Sequence, residues 1–172
     1  MSVEQKVTMI SGASGGLGQT VSRHFHQAGA RLATRLESVQ SLADALGTER
    51  ALPLAADLSN LDGAERVVAA SLERFGQVDI LLNLAGGFSG GQPVSDSDPG
   101  TLDKMLNINL HTCYNLSRAA VKPMIAQKWG RIVNVGSRDA LKGRANYSAY
   151  AMSKAAVLRL SESMAEEVKQ HN

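Results

Sequence analysis

Short, mostly apolar runs alternate along the chain with longer stretches in which apolar positions recur every three or four residues. The short runs are Lys6–Ile10, Arg31–Thr34, Ala51–Ala55, Ile80–Leu84 and Arg131–Val135. Near-continuous hydrophobicity over four or five residues is the pattern of parallel strands covered on both faces. Between them, Leu61, Ala64, Val68, Leu72 and Phe75 form one stripe of a helix that Gly76 ends. Leu106, Leu110, Cys113, Ser117, Ala120 and Met124 mark another, opened by Asn107–Leu110 and kinked near its end by Pro123. A further helix is expected from about Ser148 to Gln170. Strands and helices in strict alternation predict right-handed βαβ units, and hence an α/β fold built on a parallel sheet.

Composition narrows what such a fold can be for. The 172 residues make one domain, and the 41 Leu, Ile, Val and Phe residues are enough for a real core. The net charge of +2 comes from both signs scattered along the chain, without the basic stripe of a nucleic-acid binder. No apolar stretch approaches the ~20 residues that span a bilayer, and the polar Met1–Lys6 segment does not read as a secretory signal. The single cysteine, Cys113, fits the buried stripe of its helix and supports neither a disulfide nor a thiolate cluster. His24 and His26 lie roughly 200° apart on one helix, too far round to share a metal. The expectation is a soluble, cytoplasmic protein with no metal, no nucleic acid and no membrane among its partners.

The candidate chemistry begins directly after the first strand, at Ser11-Gly12-Ala13-Ser14-Gly15-Gly16-Leu17-Gly18. Glycines there permit a sharp turn and close backbone approach to a diphosphate, and the helix that follows offers free N–H groups to the anion. A phosphate loop of the nucleotide-hydrolase type needs Lys-Ser or Lys-Thr after the last glycine. This chain has Gln19-Thr20.

The Gly-x-x-x-Gly-x-Gly spacing resembles that of the short-chain dehydrogenase/reductase family, and four further segments agree. Asp57-Leu58 follows the third strand; Asn83-Leu84-Ala85-Gly86 ends the fourth, with leucine in place of the family's second asparagine. Asn107-Ile108-Asn109-Leu110 comes next, and Gly130–Ser137 is similar to the family's fifth strand and serine. Tyr150-Ala151-Met152-Ser153-Lys154 then supplies Tyr-x-x-x-Lys, thirteen residues after Ser137. The resemblance implies a three-layer Rossmann-type fold with strand order 3-2-1-4-5 and an NAD(P)(H) cofactor. It implies cofactor contacts from Gly12, Ser14, Gly16, Leu17, Gly18, Asp57, Leu58, Asn83, Ala85 and Gly86, with Tyr150 and Lys154.

Tyr150 and Lys154, four apart on a helix, share one face. A free tyrosine titrates near ~10, and a neighbouring ammonium favours its phenolate. The pair therefore suits proton transfer to a substrate oxygen, with Ser137 donating to the same oxygen and Lys154 also reaching the nicotinamide ribose. Asn109, by the resemblance, would hold a water linking Lys154 to solvent. Tyr147 is no substitute for Tyr150, because its i+4 position is Ala151. Asp57 has a second reading, as the cap of the helix beginning near Asn60.

Three departures qualify the resemblance. Ser11 stands where the family usually has threonine. After the second strand, Arg35 argues for NADP(H) and Glu37 against it. The family's later strands and substrate-covering loop are not found before Asn172, and we expect a longer protein, since the fifth strand would otherwise be an open apolar edge. The reading is an oxidoreductase of small carbonyl or alcohol substrates, leaning to NADP(H); the rival is a non-catalytic dinucleotide sensor on the same fold. Surplus apolar and small residues at Ala119, Ala120, Val121 and Met124, and at Ala155, Ala156, Val157 and Leu160, predict a homodimer or homotetramer through two adjacent helices.

Overall fold

The computed structural model describes residues 2–35 and 49–171. Five parallel strands form its centre: β1 (Val7–Ser11), β2 (Arg31–Arg35), β3 (Ala51–Leu54), β4 (Ile80–Asn83) and β5 (Arg131–Asn134). Their order is β3-β2-β1-β4-β5, as the resemblance implied. The described helices are α1 (Gly16–Gln27), α2 (Leu61–Phe75), α3 (Gly100–Met105), α4 (Thr112–Ala126) and α5 (Ser148–Val168). Asn60 caps α2 by accepting the Gly63 N–H at 2.8 Å, and Gly76 closes it in the left-handed conformation at φ 77°.

Successive strand residues serve opposite faces. Met9, Ala33 and Leu81 join Ala64, Val68, Leu116 and Met124 in a core beneath α2 and α4. Ile10, Leu32, Ile80 and Leu82 form the other core with Ala13 and Ala30, against the half-buried Val21 and Phe25 of α1. Two buried faces make three layers, and the apolar continuity of the strands follows.

The strands are tied together at the end opposite the site. Asp79 is buried; its carboxylate accepts the Val7 N–H at 2.8 Å, the Gln77 amide at 2.7 Å and the Lys6 ammonium at 3.2 Å. This fixes the register Thr8↔Ile80 and so aligns the carboxyl ends of β1 and β4. At the β3 edge, Leu32 N–H bonds to Arg50 C=O and Leu32 pairs with Ala51. By alternation Pro53 faces outward, where its missing N–H breaks no ladder bond.

One helix differs from its expected course. Asn107–Leu110 does not open it: α3 begins at Gly100, and Leu106–His111 is a π-helical segment that joins α3 to α4. Pro123 sits in the last turn of α4, which ends at Ala126. The widened π turn holds one extra residue, shifting the phase of everything after it.

Candidate functional site

The glycine turn is built by close approach. Gly12 has φ 69°, and a Cβ there would lie 2.7 Å from the Ala85 nitrogen. A Cβ on Gly18 would overlap the Gly12 carbonyl oxygen and stand 2.6 Å from Ala13 Cα, so α1 can start only with glycine at this point. Ser11 Oγ accepts the Ala85 N–H at 3.2 Å, linking the turn to the end of β4. Gly15, the residue before α1, provides no side-chain cap, and Gly16 borders open space. The first N–H groups of α1 thus face the cleft without a side chain over them.

That cleft has a volume of about 1020 Å³ and runs from Gly12, Ser14 and Gly15 past Ala55–Ser59 to Leu84–Gly86. It is large enough for a dinucleotide. Its far end is walled by Asp57 and Leu58. Asp57 accepts the N–H and hydroxyl of Ser59 at 2.9 and 2.6 Å and the Asn60 amide at 3.0 Å. Asn60, not Asp57, is the cap of α2, and Asp57 braces it. The bare cradle, the uncapped helix start and the cleft's length fit a diphosphate-bridged cofactor.

A second cluster lies over the carboxyl ends of β4 and β5. Lys154 is buried, and its Nζ donates to the Val135 carbonyl at 2.8 Å. Burial pushes its ammonium pKa below the usual lysine value, an effect partly countered by Cys113. A Cβ on Gly86 would stand 3.5 Å from Lys154 Nζ, so the glycine leaves the ammonium room beside the cleft. Tyr150, half-buried in the first turn of α5, is one turn before Lys154. Ser137 follows β5, and its Oγ accepts the Asp139 N–H at 3.2 Å; the turn it begins packs against α5.

Asn109 is 1 % exposed and joins these parts. Its Oδ1 accepts the Gly87 N–H at 2.9 Å, and its Nδ2 donates to the Gly87 carbonyl at 3.1 Å and to Ser153 Oγ at 3.0 Å. Ser153 in turn donates to the Tyr150 carbonyl at 2.8 Å. The Asn109 side chain is engaged by protein, as a brace between the β4 loop and α5.

Other expectations fall differently. Asn83 is buried away from the cleft walls, where its Nδ2 donates to Ser117 at 3.0 Å and Asn134 at 2.8 Å. It ties β4 to β5 and α4. Leu17 is 57 % exposed at the start of α1 and lies outside the cleft lining. Arg35 contributes its backbone to the β2–β3 pairing, opposite Leu54; its side chain and Glu37 lie outside the described residues. Cys113 is buried, its Sγ donating to Asn134 Oδ1 at 3.3 Å, and burial raises its pKa to about 11. It is a core thiol. The described residues hold no group of His, Cys, Asp and Glu that could bind a metal, and no described helix is long and apolar enough to cross a membrane.

Lys104, Asn107, Ile108 and Thr112 also line the cleft, as does Arg66. Their spacing along one helix was a signal, masked by a stripe assigned to the core alone. Phe88 lies in the Gly86–Gly91 loop that follows β4, a stretch whose glycines mark it in the sequence as a loop bordering the pocket; its ring centroid is 5.1 Å from those of both Tyr147 and Tyr150.

Comparison with known proteins is consistent with this geometry. The model of the short chain dehydrogenase family matches residues 6–172. Nodulation protein G of Rhizobium sp. (strain N33) is 34% identical over 167 residues, covering 95% of this chain and 67% of that protein. The 3-oxoacyl-[acyl-carrier-protein] reductase FabG of Vibrio cholerae is 33% identical over 171 residues, 98% of this chain and 69% of its own. A short-chain dehydrogenase structure from Streptomyces avermitilis superposes with a TM-score of 0.90 at 28% identity, over 98% of this chain and 63% of that one. The chain spans about two thirds of the length of these relatives.

Proposed function

The chain belongs to the short-chain dehydrogenase family, a family of NAD(P)-dependent oxidoreductases, and on that footing we propose that it interconverts a small carbonyl compound and its alcohol, with Tyr150 as the acid–base group. The observation that carries the reading is the buried Lys154 ammonium, held on the Val135 carbonyl beside Gly86 and one helical turn from Tyr150. When bound, the nicotinamide cofactor supplies or accepts the hydride. Gly12, Ser14, Gly15 and the start of α1 would hold its diphosphate, and Asp57 and Leu58 its adenine end. Tyr150 Oη gives a proton to the carbonyl oxygen in reduction and takes it back in oxidation. Lys154, one helical turn on, would hold the nicotinamide ribose, and Ser137 Oγ orients the substrate oxygen.

Tyr150→Phe tests this. Turnover across a panel of carbonyl compounds is expected to fall by about 10² or more, with NADPH affinity unchanged in a fluorescence titration. Wild-type binding of the dinucleotide without turnover of any compound would favour the sensor reading instead.

The preference for NADP(H) rests on Arg35, and the ratio of NADPH to NADH affinity in wild type and Arg35→Ala decides it. We place the protein in the cytoplasm. It assembles as a homodimer or homotetramer through α4 and α5, which touch each other. Tyr114 and Met152 are 49 % and 48 % exposed on these helices, apolar area that a symmetry mate would cover.

A further inference from the structure

Phe88 is 56 % exposed, yet the backbone around it is hydrogen-bonded to its neighbours. The loop that carries it is pinned on both sides. Gly87 gives its N–H and its carbonyl to Asn109, and Gly91 N–H bonds to the Asn146 carbonyl at 2.7 Å. A Cβ on Gly87 would meet Ile108 Cδ1 at 3.2 Å, and one on Gly90 would meet Asn146 O at 2.9 Å and Tyr147 Cδ1 at 3.2 Å. The backbone is pressed against both neighbours, and the ring it presents has a fixed place.

That place is beside Tyr150. The Phe88 ring stands nearly edge-on to the Tyr150 ring, at 5.1 Å and 76°, and tilted against Tyr147 at 5.1 Å and 35°. Tyr147 is backed in turn by Arg144, whose guanidinium lies 3.8 Å from the ring centroid. Arg144 also pairs with Asp139 at 3.4 Å, in the turn that begins at Ser137. One aromatic stack therefore connects the β4 loop, the Ser137 turn and the start of α5. The cation behind the stack is already neutralised by its carboxylate. Leu141, which closes the Ser137 turn, is 78 % exposed and adds a second apolar surface on that segment.

We propose that Phe88 determines specificity, selecting carbonyl substrates that carry a planar apolar substituent, an aryl group in particular, next to the reacting carbon. The proposal rests on Tyr150 acting at the carbonyl oxygen. An oxygen bound to the Tyr150 hydroxyl places its neighbouring substituent within reach of Phe88, because aromatic partners engage at centroid distances of ~4.5–7 Å. A planar substituent there meets a ring already ordered by Asn109 and Tyr147, and little conformational freedom is lost on contact.

The test compares acetophenone with acetone, in wild type, Phe88→Ala and Phe88→Leu. Ketone binding to protein saturated with oxidised dinucleotide is followed by saturation-transfer NMR, and kcat/KM is measured in the reducing direction. Wild type is expected to prefer acetophenone. Phe88→Ala should weaken acetophenone binding and lower the acetophenone-to-acetone ratio of kcat/KM tenfold or more, with Phe88→Leu between. Equal losses for both ketones, unchanged acetophenone binding in Phe88→Ala, or no wild-type preference would overturn the proposal. Failure of the acid–base reading shows elsewhere, as turnover retained by Tyr150→Phe, and leaves the paired binding measurement decisive for Phe88.

Discussion

Asn109 holds both backbone polar groups of Gly87 with one carboxamide, accepting its N–H at 2.9 Å and donating to its carbonyl at 3.1 Å. Removing that side chain leaves two backbone groups and the Ser153 hydroxyl without their partner in a buried site. Asn109→Ala is expected to cost at least about 2 kcal/mol, measured by urea denaturation. Hydrogen exchange at the Gly87 amide should accelerate in the same variant, and slow exchange there would separate Gly87 from Asn109.

Lys154 gives the protein a pH dependence with a definite sign. Its folded pKa lies below the value of 10.5 for a free lysine because burial disfavours the ammonium. Between the two values the unfolded chain binds more protons, so stability rises with pH through that window. Lys154→Met removes this contribution. The variant's stability relative to wild type should be highest at neutral pH and decline as the pH approaches 10. A constant difference in urea midpoint between pH 7 and pH 10 would contradict the burial effect.

The glycines of the turn are not equivalent. A Cβ on Gly18 meets the Gly12 carbonyl and Ala13, whereas one on Gly16 meets nothing within 4 Å. Gly18→Ala is expected to destabilise the protein by about 1–3 kcal/mol and to abolish dinucleotide binding, because the turn must open. Gly16→Ala should keep its melting temperature to within a few degrees. Thermal denaturation and a fluorescence titration of both variants check the contrast.

Ala156 lies half-buried on α5, one residue from the buried Val157. Ala156→Arg should leave the far-UV circular dichroism unchanged and shift sedimentation toward smaller species. A monomeric wild type at micromolar concentration would end the assembly proposal.

The strand and helix alternation was legible because the period of hydrophobic residues differs sharply between the two elements, and each expected strand lies within a residue of the observed one. The π segment was not. Nothing in Leu106–His111 marks the insertion, and its effect is a change of phase that turns Asn107 and Ile108 toward the cleft and Asn109 into the core. Within one motif the roles divide in a way the sequence does not mark: Ala85 lines the cleft, while the Asn83 side chain ties strands together. The glycines around Phe88 mark a loop beside the pocket, but its aromatic partners were not legible, because Tyr147 and Tyr150 lie some sixty residues away and only the folded chain joins them.

The two margins of the sheet are chemically unlike. At β3 one outward donor is deleted by Pro53, so a foreign strand laid there finds a gap in its ladder. At β5, where Arg131 donates to the Asp79 carbonyl and Val135 to that of Asn83, alternation turns the N–H groups of Ile132 and Asn134 outward, and no proline interrupts them. Recruitment of an extra strand is therefore polar in the sense that polymer growth is polar, with one terminated end and one living end. A strand added beside β5 would lie on the flank nearest Ser137, far from the end of the cleft that Asp57 walls.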